Sequence, residues 1–182
     1  MRFAGSRSVT ACMEPFRANV TSFIAALRAA GASVTVSATY RPPQRAYLMH
    51  WSWMIVNIGI DPRTIPKMAG VNIRWDHVDA AGVYAAADSL AGAQGMVDGY
   101  DMQNLMTAPA LNSRHTVGAA IDMSISWVDT LTVKDAGGNT ENITGQPRNG
   151  MNVRLAAIGA SYGVIKYNGS GTDRPHWSDT GR

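Results

Sequence analysis

The chain has 182 residues, the length of one domain able to bury a single substantial core. Charged residues make up only 16% of it, against roughly 25% in an ordinary soluble domain, and the net charge is +3. Its Lys and Arg are scattered without a cluster or a recognisable nucleic-acid module, so nucleic acid is excluded as an expected partner, whereas a mild positive balance suits an anionic polymer such as a cell wall.

In chain order, Met1 to Ser8 lacks the apolar core of about 7 to 15 residues that a signal peptide needs, and residues 1–13 are expected to be free to flex within a single domain over 1–182. Cys12 is the only cysteine, which excludes an intramolecular disulfide. Phe16, Val20, Phe23, Ile24 and Leu27 recur at helical spacing, with Pro15 near the start and Gly31 past the end; they predict an amphipathic helix packed on a sheet. Ser33 to Thr39 alternates like a strand and runs into Tyr40-Arg41-Pro42-Pro43-Gln44. The two prolines open a helix carrying Tyr47, Trp51, Trp53 and Met54, apolar nearly all round, which makes His50 a packed or groove-lining histidine. Residues 60–78, with Pro62 and Pro66, read as a long loop, where His77 between Asp76 and Asp79 suits a substrate contact better than a metal. The Ala/Gly-rich stretch from Ala80 to Gly99 reads as small-residue helix packing broken by Gly92, Gly95 and Gly99, and 57–112 as a whole is expected to shape a substrate cleft.

Beyond it, Val117, Ala119, Ile121, Met123 and Ile125 alternate with Asp122, Ser124 and Ser126, the pattern of a half-buried strand. Leu131 to Val133 and Thr140 to Ile143 flank the turn Asp135-Ala136-Gly137-Gly138-Asn139 and predict a hairpin. Met151 to Tyr162 reads as a helix stopped by Gly163, followed by a strand over Val164 to Tyr167 and a loop over Asn168 to Thr172 that leads into Asp173. The expected fold is α+β: one domain, helices on one side of a mostly antiparallel sheet whose open face bears a zinc site. No apolar run of about 18 residues offers a membrane span.

Chemistry is concentrated in Ser113-Arg114-His115-Thr116-Val117-Gly118-Ala119-Ala120-Ile121-Asp122 and in Asp173-Arg174-Pro175-His176-Trp177. Most histidines simply hydrogen-bond, and a satisfied imidazole is the alternative for each of the four taken alone. Asp122, however, lies opposite the apolar row of a strand fit for burial, and a buried carboxylate is costly unless paired or metal-bound. Gly118 allows the tight turn that brings His115 and Asp122 together. Two histidines and an aspartate match a catalytic zinc site, which takes three protein ligands and leaves a fourth position for water. Asp173, three residues before His176, is placed to handle a proton without being a ligand.

The pattern Ser-x-His-x-x-Gly-x-Ala-x-Asp at 113–122, with Asp-x-Pro-His-Trp at 173–177, resembles the LAS-type zinc peptidases of peptidoglycan: D-alanyl-D-alanine carboxypeptidases and dipeptidases, and phage L-alanyl-D-glutamate endopeptidases. The resemblance implies zinc held by His115, Asp122 and His176, with Asp173 as general acid/base. Aspartate rather than glutamate at the base position looks more like the endolysin branch. It also implies that the strand ending in Tyr40-Arg41 delivers Arg41 to bind substrate and stabilise the oxyanion; here a proline follows the arginine and the gap to Gln44 is short. Tyr40, Ser113 and Trp177 are the further expected substrate contacts.

The expected function is thus a zinc-dependent hydrolase of stem peptides, cutting L-Ala-D-Glu in an endolysin-like role, with D-alanine trimming as the alternative and a non-catalytic wall-binding domain as a remote one. Such a protein is expected to be monomeric and to act on peptidoglycan in the periplasm or cell wall. With no signal peptide visible, delivery is expected through a holin, a virion or a secretion machine.

Overall fold

The computed structural model describes residues 3–169 and 173–182. The chain runs α1 (Phe16–Ala29), β1 (Ser33–Ala38), α2 (Pro43–Ile58), α3 (Ala86–Gly99), β2 (Ala120–Ser126), β3 (Leu131–Lys134), β4 (Thr140–Ile143), α4 (Val153–Ser161), β5 (Ile165–Lys166) and β6 (His176–Ser178). The fold is α+β, and every strand pairing between these elements is antiparallel. The described residues group into two compact units: Pro42–Asn112 with Phe3 and Ala4, and Gly5–Arg41 with Ser113–Arg182.

The second unit is built on a four-stranded sheet ordered β1-β2-β6-β5. Phe16, Val20, Phe23, Ile24 and Leu27 of α1 fall on one stripe and are all buried, as their spacing predicts. They share a core with Leu155 and Ile158 of α4, with Val34, Ile121, Met123, Ile125 and Trp177 from the sheet, and with Leu131, Val133 and Ile143 of the β3–β4 hairpin. Burying each such side chain contributes about 1.5–3 kcal/mol, so this face of the sheet is committed to packing. Asp122, Ser124 and Ser126 alternate onto the opposite face. α4 is shorter than the helix expected over Met151 to Tyr162, because the Asn152 side chain accepts from the amides of Arg154 and Leu155 and fixes the start at Val153. The expected loop from Asn168 to Thr172 is described as far as Gly169; residues 170–172 lie outside the described residues.

The N-terminal segment, expected to have freedom to flex, is hydrogen-bonded from Ser6 onward. Ser6 exchanges backbone bonds of 2.8 Å with Thr39 and Tyr40, Met13 donates to the Gly118 carbonyl at 2.9 Å, and Cys12 is buried in the core.

The first unit packs α2 on α3. Tyr47, Leu48 and Ile55 meet Trp75 and Ala93 in one cluster, while Met49 and Trp53 meet Val97 and Met102 in another. α3 starts at Ala86 and ends at Gly99 as expected, but Gly92 and Gly95 do not break it: the buried Ala93 and Val97 override their weak propensity. Gly92 also leaves room for the His77 ring, whose Nε2 would lie 3.2 Å from a Cβ there. No described helix is long and apolar enough to cross a membrane.

Candidate metal centre

The polar face of β2 carries the first donor. Asp122 faces His176 directly across the β2–β6 ladder, so the two side chains leave the sheet on the same side. Trp177, one residue on, points to the helix side. On the other flank, β1 has an irregular register between Val36 and Ala38, which sets Ala38 opposite Asp122 and lets Ser37 Oγ donate to the Asp122 carbonyl at 3.2 Å. His115 comes from a 3-10 turn over Arg114–Val117 that ends at Gly118 with φ +70°. An L side chain is strained there, and a Cβ would also lie 3.2 Å from the Met13 backbone nitrogen. The glycine reverses the chain so that His115 of the 3-10 turn and the strand after it aim at one point.

At that point three donor atoms form a nearly equilateral triangle. His115 Nε2, Asp122 Oδ1 and His176 Nδ1 are each 3.1 Å from the other two. His115 and His176 are buried, and the Asp122 side chain is only 18% exposed. The outer nitrogens fix the tautomers. His115 Nδ1 lies 2.5 Å from the Thr39 carbonyl and His176 Nε2 lies 3.1 Å from the Arg182 carbonyl. A carbonyl only accepts, so each outer nitrogen carries the hydrogen and each inner nitrogen turns a lone pair inward.

With both imidazoles neutral, three acceptors therefore face one another. A single proton relieves one edge of the triangle and leaves the third atom without a donor; a cation at the centre satisfies all three. Tetrahedral zinc with donors at about 2.0–2.1 Å sets donor–donor distances near 3.3 Å, close to the 3.1 Å found. Backbone carbonyls holding the outer N–H groups are also the usual support for metal-bound histidines. Among the described residues this is the one group of histidine, cysteine and acidic side chains arranged to hold a metal ion. In the metal-free chain, burial opposes the charge on Asp122, but the adjoining His115 and His176 rings, which donate to it only when an inner nitrogen is protonated, outweigh burial and hold the carboxyl well below the usual carboxylate range. Burial likewise opposes a charged His176, yet its bonds to Asp122 and the Arg182 carbonyl raise its pKa above the ordinary histidine value.

Asp173 stands beside the triangle without belonging to it. Its Oδ2 is 3.9 Å from His176 Nδ1, and its side chain is 49% exposed. Arg41 joins through its backbone: its N–H donates to the His115 carbonyl at 3.1 Å, and the side chain is half-buried. Tyr40 is half-buried, its carbonyl bonded to Ser6. Ser113 precedes the 3-10 turn; its backbone is tied to Thr116 Oγ1, while its own Oγ is buried and makes no hydrogen bond among the described residues.

Trp177 corrects the sequence reading. Expected to contact substrate, it instead has no exposed surface, because alternation along β6 turns it into the core against Phe23 at 5.5 Å. His50 bonds the Pro109 carbonyl at 2.8 Å and stacks edge-on against Trp51, and His77 is exposed in the loop before α3; neither belongs to the triangle. Gln44 lies in α2, beside Gly70. The two supporting carbonyls, Thr39 and Arg182, went unread, because any residue type supplies a backbone carbonyl. So did the Arg114–Asp179 ion pair, which joins the His115 turn to the end of β6. Comparison with protein-family models and with curated proteins finds no match for this chain.

Proposed function

We propose that this protein is a zinc peptidase that hydrolyses the stem peptides of peptidoglycan, cutting between L-Ala and D-Glu as a lytic endopeptidase. The observation that carries the reading is the buried triangle of three inward-facing acceptors with a half-exposed carboxylate, Asp173, at its edge. The choice of substrate is supported by the resemblance of residues 113–122 and 173–177 to peptidoglycan peptidases.

His115, Asp122 and His176 would hold the ion through the three atoms named above. When bound, zinc lowers the pKa of water to about 7 and polarises a peptide carbonyl. Asp173 Oδ2 accepts the proton of the attacking water as the new C–O bond forms, and returns it to the amine nitrogen as the C–N bond breaks. Arg41 pairs its planar guanidinium with the developing oxyanion or with a substrate carboxylate. In this reading the enzyme works at the cell wall.

The test is metal analysis together with mass spectrometry of products from purified muropeptides. An endopeptidase splits the stem after L-Ala; a D,D-carboxypeptidase releases free D-alanine. A zinc-loaded protein that binds sacculi and cuts nothing would refute the catalytic reading in favour of a wall-binding domain.

A further inference from the structure

We propose that Lys166 is a positioning residue of this site: its ammonium ties together the carbonyls of Asp173, Arg174 and His176, and so sets where the Asp173 carboxylate stands relative to His176 Nδ1. The functional meaning of this tie rests on the peptidase reading above; the tie itself does not.

The segment entering β6 is poorly held by its own backbone. Pro175 has no N–H to donate, and the bond that closes the turn, from the His176 amide to the Asp173 carbonyl, is long at 3.3 Å. The Pro175 carbonyl is taken by the Met123 amide at 2.9 Å and the His176 carbonyl by the Tyr167 amide at 3.1 Å. Among the described residues, the Arg174 carbonyl has Lys166 as its hydrogen-bond donor. Lys166 supplies what the turn lacks: Nζ also donates to the His176 carbonyl at 3.2 Å and to the Asp173 carbonyl at 3.4 Å.

Position and chemistry both suit the role. Lys166 ends β5 and pairs with Trp177 of β6, the residue after the ligand. Its ammonium lies 5.2 Å from the Trp177 ring centroid, which holds the long side chain against a rigid, fully buried surface. An ammonium has three donors and no acceptor, and here all three are spent on protein carbonyls. Lys166 therefore has nothing left for a substrate and acts on the reaction only through Asp173 and His176. Burial lowers its pKa, while the nearby Asp173 and Asp122 charges raise it, so the cation sits in the field of both site carboxylates.

The decisive variant is Lys166→Met, which keeps the stem and removes the donors. Amide hydrogen exchange, measured with and without zinc, should accelerate at His176 while the β1 and β2 amides hold. On muropeptides kcat should fall roughly 10–100-fold, the range for groups that orient a metal site from outside it, with KM within about twofold and Lys166→Arg recovering most of the loss. Parental exchange at His176 together with parental kcat overturns the proposal. If the Met variant does not fold, Lys166→Gln takes its place, with a smaller loss in the same direction expected and parental behaviour again overturning. Failure of the peptidase reading looks different: the parent protein then takes up no zinc or cuts no stem peptide, while the exchange difference at His176 still decides the tie.

Discussion

Replacing His176 by alanine removes one corner of the triangle and leaves the β2–β6 ladder in place. In the metal-free chain with His176 protonated, Asp122 loses one 3.1 Å hydrogen bond, and a bond to a charged group contributes about 1.5–3 kcal/mol. The larger change appears with zinc. At about a hundredfold excess over Kd, an ion bound only by the folded state adds about 2.7 kcal/mol of stability. For a chain of this size 1 kcal/mol moves Tm by roughly 2–4 °C, so the parent should gain about 5–11 °C. His176→Ala, with two donors left, should gain next to nothing. Thermal melts with and without zinc, paired with metal analysis after dialysis, read both effects: about one equivalent in the parent and none in the variant. A variant that keeps full zinc and the parental rise in Tm would show that His176 is not a ligand. No rise in the parent would show that the triangle is a hydrogen-bonded core and nothing more.

Asp173→Asn should keep zinc and fold yet lose roughly 10²–10⁴-fold in turnover, since an amide cannot take the proton; zinc lost along with activity would make Asp173 a ligand instead. Arg41→Lys, which keeps the charge but not the planar fork, should leave zinc content unchanged and lower kcat/KM by about 1.5–3 kcal/mol, and sacculi cut at the parental rate would remove Arg41 from the site. The raised pKa of His176 makes the metal-free chain sensitive to alkali: its contribution is full below about pH 6.5 and is lost as pH rises through the folded value, so chelated protein should melt lower at about pH 8 than at about pH 6. Zinc needs Nδ1 without its proton, so the stabilisation it adds should grow over the same range, and a metal effect that shrinks with pH would contradict the tautomers assigned above.

The centre was legible where its chemistry resides in side chains. Asp122 stood out because Ile121, Met123 and Ile125 demand burial on one face of β2 and leave a carboxylate on the other. Gly118 was readable because few other residues adopt its φ of +70°. What stayed hidden depends on partners that sequence does not name. The Thr39 and Arg182 carbonyls orient the two imidazoles, and Lys166 binds three more carbonyls, so residue type carries no signal for any of these contacts. Trp177 was misplaced for a related reason: its neighbourhood to a ligand in sequence says less than the strand alternation that sends adjacent side chains to opposite faces. In α3, Gly99 does end the helix, but Gly92 and Gly95 were read as breakers from residue type alone, whereas the helix is held across them by burying Ala93 and Val97.

The centre also imposes an order on biosynthesis. His176 lies 54 positions beyond Asp122 and 61 beyond His115, and the carbonyl that supports His115 lies 76 positions before it. At about 5–20 residues per second, a ribosome that has released Asp122 needs roughly 3–11 s more to deliver the last donor. Until then the nascent chain offers two of the three donors and an unpaired β2 edge. On the proposed zinc reading, uptake of the ion would follow the docking of β6 between β2 and β5. A metal-responsive dye followed during synthesis would time that docking directly.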